Sequence, residues 1–384
     1  MPKPPLLPPY FSSSGIRNAF LPVIALSFCI SIYAFYGQQP EAPVEYSLSP
    51  DPLPADSSQS SKFDIDGKFR GVNLGGWRGM DSLDWQQLLH NKVEWVALTP
   101  QAWQQTVDSD SLVYNRRDRR GFDRTKMLAQ LVQDAQSKGM RVLMKPHVWI
   151  NRTVGNEWRS TMLPKGERWQ KWSASYRDFI MEFARLSDSL GVDALCIGTE
   201  LDAIAKAYPA YWTDLIQSIR KVYKGSLTYG ANWDAFEDIQ FWGQLDYIGV
   251  QAYFPLTKKQ EPPVASLCAA WQSHYRKIRK LHQRYGKPVV FTEVGYRSVA
   301  DAAHEPWTWT GETDHLTKRA SPGTQSNCYE ALFQVFWDQK WFAGALFWEW
   351  EGRFRNRDND QVDFTPQGKP AEQVMARWFG KVSL

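Results

Sequence analysis

From Lys62 onward, short runs rich in β-branched and aromatic residues alternate with longer runs whose apolar positions recur at helical spacing. The predicted strands are Phe69–Leu74, Val93–Leu98, Arg141–Pro146, Ala194–Thr199, Ser226–Gly230, Tyr247–Ala252, Pro288–Thr292 and Gly344–Trp348. Predicted helices between them include Thr125–Lys138, Trp169–Leu190, Tyr211–Tyr223 and Ser266–Tyr285. A glycine follows the last periodic residue of each, at Gly139, Gly191, Gly225 and Gly286, where a left-handed C-cap turns the chain back into a strand. Eight such units in about 320 residues predict an α/β chain with a closed (β/α)8 TIM barrel over residues 62–384, rather than an open doubly wound sheet. Gly75-Gly76-Trp77 after the first strand is not a dinucleotide fingerprint.

The chain ahead of that pattern reads differently. Residues 19–36, AFLPVIALSFCISIYAFY, form an 18-residue stretch without a charge, long enough to span a bilayer. Lys3 and Arg17 precede it, and Glu41, Glu45, Asp51 and Asp56 follow. This asymmetry predicts a transmembrane helix with residues 1–18 cytoplasmic and the barrel on the periplasmic or extracellular side. A cleaved signal peptide is the rival reading, against which stands the lack of a small-x-small site after the apolar run. Residues 37–61 are rich in Pro and Ser and predict a disordered linker.

Composition narrows the partners. The net charge is only +4 and the basic residues are interspersed with acidic ones, so nucleic acid is not an expected partner. Aromatic content is high, with 19 Trp, 16 Tyr and 20 Phe. Many must be core, but Trp at a loop mouth also offers a flat apolar face to a sugar ring. Four cysteines show no metal-ligand spacing, and no cofactor or metal is expected. Cys268 and Cys328 either pair or remain buried thiols.

Candidate chemistry collects at the C-terminal ends of the strands, where parallel α/β folds place their sites. Glu200 closes the fourth predicted strand and Glu293 the seventh. Two carboxyls facing one another across a barrel are what cleaving a glycosidic bond requires. Strand alternation places Gly198 and Cys196 inward with Glu200, and Phe291 with Glu293. The same rule groups Asn73 with Trp77, Lys145 with His147 and Trp149, Gln251 with Tyr253, and Trp348 with Trp350, and turns Glu349 and Glu351 away.

Ile197-Gly198-Thr199-Glu200-Leu201, Phe291-Thr292-Glu293-Val294-Gly295 and Leu346-Phe347-Trp348-Glu349-Trp350, in that order, resemble the strand ends of clan A glycoside hydrolases, and among them glycoside hydrolase family 113, known for β-mannanase activity. The resemblance implies Glu200 as general acid/base and Glu293 as nucleophile. It also implies Tyr253 as a hydroxyl donor near Glu293, the alternative being a tyrosine packed at the barrel rim. Thr199 stands where many clan A families carry Asn, leaving the contact to the sugar 2-hydroxyl unassigned.

Trp348 and Trp350 are assigned to sugar stacking, and Trp77 and Trp149 to further platforms or to the core. Lys145 and His147 are assigned to substrate hydroxyls, Lys145 alternatively to neutralising a rim carboxylate, and Asn232 is a further sugar contact. The insertion Val299–Thr324, with Trp307 and Trp309, reads as a wall of the cleft. The leading expectation is a membrane-tethered retaining glycoside hydrolase acting on β-mannan or manno-oligosaccharides. The alternatives are another β-glycan or an exopolysaccharide, a non-catalytic glycan-binding barrel, and a scaffold of the cell envelope.

Overall fold

The computed structural model describes residues 61–75, 80–115, 123–151, 158–311, 314–352 and 361–382. The membrane segment expected at residues 19–36, the linker as far as Ser60 and the expected platform Trp77 lie outside the described residues. Among the described residues no helix is long and apolar enough to cross a membrane.

Ten strands are described: β1 Phe69–Gly75, β2 Trp95–Leu98, β3 Gln101–Gln104, β4 Arg141–Met144, β5 His147–Ile150, β6 Ala194–Thr199, β7 Ser226–Asn232, β8 Ile248–Gln251, β9 Val289–Val294 and β10 Phe342–Glu351. Eight of them close a parallel barrel in the order β1-β10-β9-β8-β7-β6-β4-β2. Each predicted strand is a barrel strand. Their near-continuous apolar runs follow from burial on both faces, by the barrel interior and by the outer helices. The helix Glu167–Ser189 shows the outer packing: Trp172, Tyr176, Phe179, Ile180 and Phe183 recur at helical spacing and are its buried stripe.

Two strands were not anticipated. β3 and β5 follow β2 and β4 after Pro100 and Pro146, and pair with each other as a separate two-stranded parallel sheet. Proline donates no ladder hydrogen bond, so it marks where each chain leaves the barrel and starts anew.

The barrel interior is filled by Phe69, Trp95, Leu143, Cys196, Val290 and Leu346, among others. A short helix, Lys62–Asp66, precedes β1 and sets Phe63 against Phe69 and Trp95, with ring centroids 5.4 and 5.0 Å apart. This plugs the end at which the strands begin. Cys196, Cys268 and Cys328 are free; Cys328 is a buried thiol as the second reading has it, whereas Cys268 is only half-buried.

Alternation fails where it was used to aim the glutamates. From Cys196 to Thr199, β6 advances three residues while β7 advances two, from Thr228 to Gly230. From Phe291 to Glu293, β9 advances two while β8 advances one. One extra residue swaps the faces of everything after it. Gly198 therefore faces the helices, where an added Cβ would sit 2.8 Å from both Trp212 and Tyr229. Phe291 does likewise, packing on Trp271 and Phe336. A third extra residue lies in β10, where Phe347 to Trp350 runs beside Val72 to Leu74 of β1.

Candidate active site

At the end of the barrel where the strands finish lies a cleft of about 410 Å³ whose lining includes Glu200, Glu293, Tyr253, His147 and Asn232. The bulge in β6 hands the chain to Glu200 in a left-handed conformation, φ 52°. A side chain there costs about 1–3 kcal/mol and persists only when its surroundings hold it. Here the Glu200 amide donates to the Gly230 carbonyl at 2.8 Å, and the next amide, of Leu201, donates to the Tyr229 hydroxyl at 2.9 Å.

The two carboxyls have unlike surroundings. Oε2 of Glu200 accepts from the Trp158 indole at 2.6 Å and pairs with the Arg159 guanidinium at 2.9 Å. Burial nevertheless raises its pKa, with Arg159 opposing the rise and Glu293 adding to it. Glu293 instead meets Lys145, whose Nζ lies 2.5 Å from Oε1, and the Tyr253 hydroxyl, which donates to Oε2 at 3.0 Å. Burial first, and then Glu293, hold the Tyr253 hydroxyl protonated far above the usual phenol range, so it remains a donor. Burial also lowers the pKa of Lys145, while Glu293 works to keep it charged.

His147 is only 2% exposed, and burial together with Arg159 and Lys145 holds it neutral. Its 3.5 Å approach to Glu293 is thus no ion pair, and among the described residues neither ring nitrogen has a hydrogen-bond partner. Both nitrogens are themselves shielded from solvent, so what His147 gives the cleft wall is its ring. Asn232 donates from Nδ2 to Asp202 at 2.7 Å, leaving its Oδ1 as the acceptor for the cleft. Burial raises the pKa of Asp202 to about 7.

Aromatic rings form the walls. Trp348 stacks on His147 at 6.5 Å and meets Trp309 edge-on at 5.9 Å. Trp149 lies 5.8 Å from Trp309 and 5.9 Å from Trp158. Trp233 and Trp307 stack at 5.4 Å, and both also line the cleft. The insertion after β9 therefore supplies two rings to the cleft, as its reading as a wall predicts.

Two assigned residues fall elsewhere. Trp350 is fully buried in the core, because the extra residue in β10 turns it to the face of Phe347 and away from Trp348. Lys145 is fully buried behind Glu293 and donates to it and to the Thr292 carbonyl, so its place is that of a counter-charge rather than a substrate contact. Trp158 and Arg159 were missed altogether. They sit in and beside the short 3-10 helix Arg159–Thr161, which has no periodicity, and Trp158 lies 42 residues from Glu200 in sequence. Glu349 and Glu351 are not on the cleft lining, although burial raises the Glu349 pKa to about 8. Among the described residues no cluster of His, Cys, Asp and Glu could hold a metal ion.

The profile of Glycoside Hydrolase Family 113 matches residues 72–369. The family 113 β-mannanase AaManA from Alicyclobacillus acidocaldarius, solved in complex with ManMIm, is 26% identical with a TM-score of 0.70, over 84% of this chain and 100% of that one. A family 113 β-1,4-mannanase complex is 22% identical with a TM-score of 0.67, over 81% and 99% of the two chains. The β-glucuronidase of Ruminococcus gnavus shares the barrel at 13% identity and a TM-score of 0.55, over 81% of this chain and 50% of its own. No curated protein sequence matches the chain.

Proposed function

Because the chain belongs to glycoside hydrolase family 113 and is thus a glycoside hydrolase, we propose that it cleaves β-mannan or manno-oligosaccharides with retention at the anomeric carbon. The observation that carries this reading is the pair of carboxyls on one cleft with opposite surroundings, Glu293 between a lysine and a tyrosine and Glu200 with its pKa raised by burial. In the first step a carboxylate oxygen of Glu293 forms a bond to the anomeric carbon as the glycosidic bond breaks, and Glu200 gives its proton to the departing oxygen. In the second, Glu200 takes a proton from water, whose oxygen displaces Glu293. Mannan as substrate is supported by the likeness to AaManA. His147, Asn232, Trp149 and Trp348 hold the sugar in this scheme.

A panel of soluble β-glycans tests the reading, with the anomeric form of the first product followed by NMR. The expected result is cleavage of β-1,4-mannan and a β-configured new end. Cleavage of a different glycan alone would move the substrate, and an α-configured end would replace double displacement by inversion.

Arg159 leads to a pH prediction. A general acid works only while protonated, so activity falls as pH rises through the Glu200 pKa, and Arg159 pulls that pKa down. The variant Arg159→Met is expected to move the alkaline limb of kcat/KM to higher pH by about one unit. An unmoved limb would remove Glu200 from the acid role or Arg159 from its control.

We also propose that residues 19–36 anchor the enzyme in a membrane with the catalytic barrel outside, supported by their uncharged run and by Lys3 and Arg17 before it.

A further inference from the structure

The β3–β5 sheet carries aromatic surface that hydrolysis at Glu200 and Glu293 does not use. Its strands run in register, Gln101 beside His147 and Trp103 beside Trp149. Alternation puts these four on one face, while Ala102 and Gln104 are buried on the other, Gln104 accepting from Trp172 of the outer helix at 2.9 Å. Since His147 and Trp149 line the cleft, their face of the sheet continues the cleft wall outward, and Trp103 is the next ring along it.

The Trp103 ring stacks on Trp149 with centroids 6.1 Å apart and planes 29° apart, yet Trp103 remains 42% exposed. A lone exposed tryptophan needs no explanation. This one ends an unbroken row, Trp348, Trp309, Trp149 and Trp103, in which each ring lies within about 6 Å of the next. It is also held in place. One edge of β3 pairs with β5, and on the other the Trp103 amide and carbonyl both bond to Val113, at 2.9 and 2.7 Å. Gln101 shares the face of Trp103 by alternation, and just past the ends of the two strands Asn151 donates to Gln105 at 3.4 Å. A rigid flat ring that shares its face with an amide side chain is the chemistry that receives the C–H face and hydroxyls of a pyranose.

We propose that Trp103 is a sugar-binding platform outside the catalytic cleft, receiving a further residue of a β-linked chain that leaves the cleft over Trp149. This rests on the glycan reading of the cleft and deepens it. The substrate is a chain long enough to reach past the cleft on the β5 side, and binding there lowers KM for long chains without touching the chemical step.

The test compares wild type with Trp103→Ala on soluble β-1,4-mannan and on manno-oligosaccharides from the trimer to the hexamer. Trp103→Leu, which keeps apolar bulk against Trp149 but no flat ring, covers the case in which the alanine variant fails to fold. KM on the polymer is expected to rise about tenfold, the loss of one aromatic anchor, with kcat unchanged and with the shortest cleaved oligosaccharide unaffected. Trp103→Phe should recover most of the loss. An unchanged polymer KM, or an equal loss on every chain length, overturns the platform while leaving the mannanase reading in place. Failure of the wild type to cleave any of these substrates removes the mannanase reading and the platform with it.

Discussion

Replacing Glu293 by Gln is expected to lower kcat on mannan by about 10⁴-fold or more while the protein still binds the glycan, since the variant keeps the shape of the side chain and loses only the attacking charge. Binding is read by quenching of cleft tryptophan fluorescence, and turnover by reducing ends released. Glu200→Gln should be equally damaging on mannan, but should keep the first step on an aryl mannoside whose leaving group departs without a proton. That difference separates the roles. Equal loss on both substrates in both variants would leave the two carboxyls unassigned, and undiminished hydrolysis by Glu293→Gln would remove the nucleophile from this position.

The second large effect is expected at Lys145. Its ammonium is fully buried, 2.5 Å from Glu293, hydrogen-bonded to the Thr292 carbonyl and 5.7 Å from the centre of the Trp348 ring. Substituting Met keeps the length and leaves Glu293 buried beside a tyrosine and a neutral imidazole, with its cation gone. Breaking a buried pair from one side costs about 3–5 kcal/mol, much more than the intact pair contributes net. Urea unfolding of Lys145→Met should show that loss together with a fall in kcat. The double variant Lys145→Met, Glu293→Gln should be more stable than Lys145→Met alone, because neither partner is then a stranded charge. A double variant no better than the single one would mean that Lys145 stabilises through packing alone.

Much of this architecture was legible because a parallel barrel writes itself in the chain as apolar runs separated by amphipathic ones. Glu200 and Glu293 were found because each sits where such a run ends. Gly198 and Phe291, which strict alternation would turn inward with them, nevertheless face the helices. In β9 the bulge after Phe291 restores the inward direction, whereas in β6 the bulge turns Gly198 outward and the left-handed backbone of Glu200 accompanies the return to the cleft, and no residue type announces either. The same blindness misplaced Trp350. Lys145 was readable as a neutraliser of a carboxylate, and its identity as the partner of Glu293 depends on a contact 148 residues apart in the chain. Trp158 and Arg159 were invisible for a different reason: their role is set by a loop's path through space, which neither propensity nor periodicity encodes.

The two carboxyls also differ in what holds them. Glu293 takes its settings from barrel framework, from Lys145 just past β4 and Tyr253 just past β8, whereas Glu200 takes two of its contacts from the connection that follows β5. Warming or mild denaturant that loosens connections before frameworks will reset the proton donor while the attacking group still stands ready, so the enzyme should fall silent with its barrel intact.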